Sequence, residues 1–391
     1  MTASLQAMQA FPYRTVPEIV FGPGAAAGIG EWIGQRHEAR RVLLVTDPGL
    51  YRLGVIEPVV ASLRGAGREV DIFHDVEADP TEACVLAAIE RARAGDAGIV
   101  VGCGGGSPMD VAKLAAAFAR NGQALQDAYG VGRFTGTRLP LAMIPTTAGT
   151  GSEVTPIAIV TTGGQSKAGI VSPALYGDVA VLDPLLTLGL PPAITAATGI
   201  DAMVHALEAY TGVRMKNPLS DCAAREALRL LGGAITTAFG RGDDVAARGR
   251  MLLGSMLAGQ AFANSPVGGV HALAYPVGSL FHVPHGVSNA LMLGPVLRHN
   301  LDAACAHYAE LADILVPGQG GSEEARARGL LAYFESLSAR MSVPTRLSAF
   351  GVAEADIAML AESAMTQQRL LVNNPRPIGA ADAERLYREA L

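Results

Sequence analysis

The sequence predicts two domains of different class: an α/β domain built on a parallel sheet over residues 1–190, then an all-α domain over residues 191–391. Three observations predict it. Short apolar runs alternate with helical periodicity as far as Leu182, the pattern of strands buried on both faces and joined by crossover helices. Beyond Pro191 the strand-like runs stop, and Ala/Leu/Met-rich helical periodicity continues to Leu391. A chain of 391 residues also exceeds one ordinary hydrophobic core. No linker rich in Gly, Ser or charge separates the halves, so they should pack closely with a cleft between them.

Taken in order, residues 16–21 (VPEIVF) read as a short strand, and Gly22, Gly24 and Gly28 as a turn into a helix. Pro23 interrupts what would otherwise imitate a phosphate-binding loop. Residues 41–46 (RVLLVT) form a buried strand with Asp47 at its C-terminal end, where open α/β sheets bind ligands. A carboxylate there has two uses. It can accept hydrogen bonds from both hydroxyls of an adenosine ribose and repel a 2′-phosphate, favouring NAD over NADP, or it can cap the next helix.

A helix (55–66), a strand (69–73) and a helix (81–94) follow. The strand at 97–101 runs into Gly102-Cys103-Gly104-Gly105-Gly106-Ser107-Pro108, and a helix over 109–119 carries Asp110 and Lys113 in its early turns. Glycines let a backbone approach a pyrophosphate, and a helix N-terminus offers free N–H groups and positive dipole character. The strand at 139–144 delivers Pro145-Thr146-Thr147-Ala148-Gly149-Thr150-Gly151-Ser152-Glu153, small and hydroxylic enough to line a cofactor cleft. Residues 154–161 and 167–171 read as a hairpin around Thr162-Gly163-Gly164, and 179–182 as the last strand, ending at Asp183-Pro184.

In the helical half, GIDAMVHALEAY (199–210) places Asp201 and His205 four residues apart, on one helix face. GGVHALAYPVGSLFHVPHG (268–286) adds His271, His282 and His285. One Asp with two or three His makes a donor set for a divalent transition metal, with room left for a substrate oxygen.

Half the chain is apolar and 17% charged, which implies large buried surfaces and favours a homodimer or higher homo-oligomer. No apolar run reaches about 18 residues free of charge, so no membrane span is expected. The N-terminal residues lack a basic start followed by an apolar block, against a secretory signal. A net charge of −6, without a basic cluster, disfavours nucleic-acid and anionic-membrane binding. Four cysteines, Cys84, Cys103, Cys222 and Cys305, lie far apart without CxxC spacing and read as reduced thiols of a cytoplasmic protein.

With these motifs in hand, the chain resembles the iron-containing (group III) alcohol dehydrogenase family along nearly its whole length. The motifs are GGGSPMDVAK (104–113), IPTTAGTGSEVT (144–155), DPLLTLGLPP with TGIDAMVHALEAY (183–210), GGVHALAYPVG with HVPHG (268–286), and NNPRP (373–377). The resemblance implies a Rossmann-like dinucleotide-binding domain followed by an all-helical metal-binding domain, a dehydroquinate synthase-like architecture. It implies Asp201, His205, His271 and His285 as ligands of one divalent metal, Fe²⁺ or Zn²⁺. It puts NAD on Asp47, Gly104, Gly105, Gly106, Ser107, Thr146, Thr147, Lys167, Leu186 and Gly189. His282 is thereby moved to the cleft beside the ligands.

The implied reaction is hydride transfer between a small alcohol or aldehyde and nicotinamide, with the metal as Lewis acid. Tyr275, His282 or water would carry the proton. Two departures stand out. Tyr275 occupies a position where many members have His, and it resembles the hydroxyacid–oxoacid transhydrogenase branch. Tyr still donates a hydrogen bond but, with a reference pKa near 10, is a poor neutral-pH base. Asp79, in ADPT, replaces a frequent Asn near the adenosine side. Maleylacetate-type reductases, which also look like this family, commonly lack the acidic ligand; the presence of Asp201 argues against that activity.

Overall fold

The computed structural model describes residues 10–163 and 166–391. In the N-terminal half, β1 (Glu18–Phe21), α1 (Ile29–Arg36), β2 (Arg41–Val45), α2 (Pro48–Arg52), α3 (Glu57–Gly65), β3 (Glu69–Phe73), α4 (Glu82–Ala94), β4 (Ile99–Gly104) and α5 (Gly106–Phe118) alternate along the chain. They are followed by β5 (Gly130–Val131), β6 (Leu141–Pro145), β7 (Ile157–Thr162), β8 (Ser166–Val171) and β9 (Val179–Leu182).

Six of these strands pair in the order β3-β2-β4-β6-β9-β1, all parallel. The period-2 geometry of a strand explains the layering. Leu43 and Val45 of β2 join a core with α4 and α5 on one face of the sheet. Val42 and Leu44 join α1 and α3 on the other. The chain leaves β2 for β3 on one side and returns to β4 on the other. That reversal opens a crevice at the C-terminal ends of β2 and β4, the place where open sheets bind ligands.

The glycine run is part of the fold as well as of a loop. β4 continues to Gly104, three residues past the expected end, with Cys103 paired to Ile144 and Gly104 to Pro145. A Cβ at Gly102 would stand 2.7 Å from that of Ala112, so α5 rides close on the strand. α5 then begins at Gly106, three residues before the expected start. The Gly22–Gly28 turn is structural, because Asp183 accepts from Gly24 N at 3.0 Å and from Ala26 N at 3.1 Å. β7 and β8 form the expected antiparallel hairpin, extended by β5 into a small second sheet; residues 164 and 165 of its turn lie outside the described residues.

The C-terminal half is helical: α6 (Pro192–Thr211), α7 (Pro218–Gly232), α8 (Ile235–Gly240), α9 (Val245–Asn264), α10 (Gly269–Phe281), α11 (His285–Leu315), α12 (Glu323–Arg340), α13 (Ile357–Met365), α14 (Gln368–Leu371) and α15 (Ala380–Ala390). α6 starts with Pro at its first turn, where the missing N–H costs nothing. From Thr195 to Thr211 every residue of α6 except Thr198 is buried, which puts this helix in the middle of the third core.

The loop after β6 joins the two halves. Gly149 packs on α6, where an added Cβ would meet Thr198 Cβ at 2.7 Å. Gly151, at φ +58°, crosses α9 so closely that a Cβ would stand 2.5 Å from Gly259 Cα. Among the described residues no helix is long and apolar enough to cross a membrane. The four cysteines are unpaired.

Candidate active site and metal centre

Three helices bring four donors to one point. α6 supplies Asp201 and His205, α10 supplies His271, and His285 is the first residue of α11. One donor atom from each lies within 4.8 Å of all the others. His285 Nε2 is 3.6 Å and His271 Nε2 3.9 Å from Asp201 Oδ1. Ligands on bonds of about 2.1 Å to a tetrahedral ion lie roughly 3.4 Å apart, so small side-chain movements would close the set on a cation. One carboxylate and three imidazoles suit Fe²⁺ and Zn²⁺ alike.

The neighbours fix which nitrogen each imidazole presents. His205 Nδ1 donates to the Gly149 carbonyl at 3.2 Å, leaving Nε2 bare toward the centre. His271 Nδ1 donates to Glu208 Oε2 at 2.6 Å, while the other Glu208 oxygen accepts from Val270 N at 2.7 Å. A carboxylate behind a metal-binding imidazole orients the ring and raises its basicity. Glu208 escaped the sequence reading, although Asp201, His205 and Glu208 follow the i, i+4, i+7 spacing of one helix face.

Asn289, one turn after His285 on α11, was missed too. Its amide donates to Asp201 Oδ1 at 2.6 Å and stands 3.1 Å from His271 Nε2 and 3.3 Å from His285 Nε2. Its own oxygen is buried without a partner.

Burial dominates the protonation states. It pushes His205 and His285 down to about 4, so both are neutral at pH 7. Burial alone would raise the Asp201 carboxyl, but the surrounding imidazoles and the Asn289 amide reverse this and hold it below the ordinary carboxylate value. The result is an anion and two neutral imidazoles, the protonation that metal binding requires.

These donors form one end of a cavity of about 680 Å³ between the halves of the molecule, a volume in the usual range for small-molecule sites. Of the sequence-predicted residues, Gly106, Ser107, Lys167, Tyr275 and the four donors border it. Tyr275, one turn beyond His271, has its ring 5.8 Å from that of His285. Its hydroxyl takes no partner among the described residues, and burial raises its pKa, so it is a neutral donor. His282 does not border the cavity; it is exposed, in a left-handed conformation (φ 55°) that ends α10.

The remaining cofactor candidates line up along the C-terminal edge of four adjacent strands. Asp47 follows β2, Gly104 to Ser107 follow β4, Thr146 and Thr147 follow β6, and Leu186 and Gly189 follow β9. Asp47 does cap a helix, Oδ1 accepting from Gly49 N and Leu50 N at 2.9 Å each. Its second oxygen has no protein partner among the described residues, so the two uses weighed for it are compatible. The Thr146 hydroxyl is buried without a partner. A Cβ at Gly104 would meet Pro108 Cγ at 2.6 Å, so this loop can exist only without a side chain there.

Two cations of the motifs turn inward. Lys113 is fully buried and donates to Ser152 Oγ (2.7 Å), Thr155 Oγ1 (3.2 Å) and the Ile157 carbonyl (2.7 Å). Ser152 Oγ donates to Asp110 Oδ1 at 2.6 Å, and Ile159 N to Asp110 Oδ2 at 2.9 Å. This network clamps α5 to the hairpin that walls the cavity. Lys167 pairs with Asp79 at 2.7 Å; Asp79 adopts φ 53°, and its carbonyl accepts from Thr161 Oγ1 at 2.9 Å.

Comparison with known proteins agrees with this geometry. The family described as Iron-containing alcohol dehydrogenase matches residues 17–184, and the Fe-containing alcohol dehydrogenase family C-terminal domain matches residues 195–391. The chain is 38% identical over 388 residues to "Long-chain-alcohol dehydrogenase 1" of Geobacillus thermodenitrificans, covering 96% of this chain and 97% of the relative. A crystal structure of 1,3-propanediol oxidoreductase superimposes with a TM-score of 0.94 at 36% identity, covering 98% of this chain and 100% of that one. Sulfoacetaldehyde reductase from Bifidobacterium kashiwanohense, solved in complex with NAD⁺, gives 0.87 at 30% identity, over 98% and 99% of the two chains. A parallel-sheet domain, a helical domain and these matches along both halves establish that the chain belongs to the iron-containing alcohol dehydrogenase family, oxidoreductases acting on CH–OH groups.

Proposed function

We propose that the protein is a metal-dependent, NAD-linked dehydrogenase that interconverts a small alcohol and its aldehyde. One observation carries the reading: four donors of metal-binding type converge at one end of a cavity whose other wall begins at the glycine loop. When bound, the divalent ion supplies Lewis acidity toward a substrate oxygen, and the nicotinamide exchanges a hydride with the carbinol carbon.

The chain's own residues do the rest. Asp201 supplies the negative ligand, and His205, His271 and His285 the neutral ones, their free nitrogens directed by Gly149 and Glu208. Residues 1–190 hold the nucleotide, with Asp47 toward the adenosine ribose, Gly104 to Ser107 around the pyrophosphate, Thr146, Thr147, Leu186 and Gly189 along the same edge, and Lys167 reaching it from the hairpin. Tyr275 offers a neutral O–H beside the donors and orients the substrate oxygen by donating a hydrogen bond to it. Ile157, Ile159, Val171, Phe262 and Val267 make an apolar wall that excludes water and strengthens every charge interaction inside. The similar proteins are named for alcohol and aldehyde chemistry, and neither the transhydrogenase nor the maleylacetate-type reading is carried further.

The test is label transfer. Metal-loaded protein given a short neutral aldehyde and NADH carrying deuterium at both C4 positions should yield the alcohol labelled at its carbinol carbon. NADPH should be poorer by about tenfold or more in kcat/KM, the cost of a phosphate beside the Asp47 carboxylate. An unlabelled alcohol, or none, would sink the hydride-transfer reading.

A further inference from the structure

The charged residues around the cavity are equal in number but are not all paired. Its lining carries three acidic residues, Asp79, Asp110 and Asp201, and three cationic ones, Lys167, Arg214 and Arg369. Each acid is engaged: Asp79 by Lys167, Asp110 by Ser152 and Ile159 N, and Asp201 within the donor set. The two guanidinium groups have no hydrogen-bond or ion-pair partner among the described residues.

Both arginines are exposed, and the backbones that carry them are tied together. Arg369 opens toward the cavity from α14, and Arg214 from the loop after α6. Val213 N donates to the Asn373 carbonyl at 3.0 Å, and Asn373 Nδ2 donates to the Arg369 carbonyl at 3.0 Å and to Val267 O at 2.8 Å. Asn373 is buried, so both segments are pinned by one residue, through its backbone carbonyl on one side and its side-chain amide on the other.

Arg369 lies on the hairpin side of the cavity. Its Nη2 is 4.0 Å from the place a Cβ would take at Gly169, which puts the guanidinium over β8 between Lys167 and Val171, both of which border the cavity. The glycine loop and the N-terminus of α5, the place for a pyrophosphate, belong to the sheet edge instead. A solvated arginine needs no partner. Two unpaired ones at the mouth of an apolar-walled cavity, however, focus a positive field into it.

We propose that the substrate is an aldehyde or primary alcohol whose far end carries an anionic group, carboxylate or sulfonate, bound by Arg369 with Arg214 while the reacting carbon lies at the metal end. This rests on the dehydrogenase reading of the same site. A planar guanidinium meets such an oxyanion with two parallel N–H donors, which lysine cannot do.

The experiment is steady-state kinetics of the metal-loaded protein with NADH and chain-matched pairs: succinate semialdehyde against butanal, and glutarate semialdehyde against pentanal. A charge-assisted hydrogen-bond pair corresponds to about 10- to 100-fold in kcat/KM. Wild type should prefer at least one anionic member by that factor. Arg369→Ala should erase most of the preference through KM, Arg369→Lys should restore part of it, and Arg214→Ala should reduce it less. Equal use of the two members of both pairs by wild type overturns the inference while leaving the dehydrogenase reading intact. A raised KM for NADH in Arg369→Ala, with the preference kept, overturns it by giving the guanidinium to the cofactor. Turnover of neither member of any pair overturns both readings.

Discussion

The three imidazoles at the metal centre differ chiefly in what holds their other nitrogen. His205 leans on a backbone carbonyl, His271 on the Glu208 carboxylate, and His285 on neither. Glu208→Gln keeps the shape but removes the charge behind His271. We expect it to weaken metal affinity by about 10- to 100-fold, read by titration against a chelator, with little change in helix content. The residue scale is also where the sequence was least complete. Asp201 and His205 declare themselves by local spacing. Glu208 shares their helix face, but its role depends on His271, 63 positions away. Asn289 and Arg369 have no motif meaning at all, because only the packing of α11 and α14 brings them to the site.

A second prediction at this scale concerns pH. Burial raises the Glu153 carboxyl to about 7, and one of its oxygens has no partner. Its folded-state value therefore lies above the ordinary 4.5, and the folded chain binds the extra proton between the two. Stability from this group is intact below the ordinary value and is lost as pH rises through about 7. Glu153→Gln should remove that loss, so denaturant unfolding should show the variant gaining on wild type between mildly acidic and alkaline pH. The gain is on the order of 3 kcal/mol at most. A pH-independent difference would contradict it.

Among the elements, the loop after β6 has the widest reach. It leaves the sheet at Pro145, passes the unpartnered Thr146 hydroxyl, holds His205 through the Gly149 carbonyl, and crosses α9 at Gly151. Gly151→Ala puts a methyl into Gly259 at a positive φ, and should cost about 2–4 kcal/mol in urea unfolding while weakening metal binding. Preserved metal affinity in a folded variant would show that the loop does not hold His205. The strands were readable because buried parallel strands are continuous apolar runs, as in RVLLV. The start of α5 was not, because Gly106-Ser107-Pro108 has loop composition and becomes helical only where the strand beneath it leaves no room for a side chain. The short α2 was missed for a similar reason: five residues carry too little periodicity, and Asp47 alone announces its start.

At the scale of the whole molecule, the proposed function depends on two halves that meet at one cavity and are joined by a core that takes in Ala148, Ala180 and Leu182 as well as the helices. On the proposed reading the nucleotide edge belongs to the sheet, the metal donors to the helices, and neither completes a site alone. Metal removal should therefore abolish turnover while NADH binding, followed by its fluorescence, persists within a few-fold. The measurement that tests this account most directly is anaerobic NADH oxidation by metal-free protein reloaded separately with Fe²⁺ and Zn²⁺, beside His271→Ala carried through the same reloading. The account predicts turnover that appears only with metal, one ion bound per chain, and neither in the variant. Equal turnover by metal-free and reloaded protein would contradict it, because the four converging donors would then have no part in the chemistry.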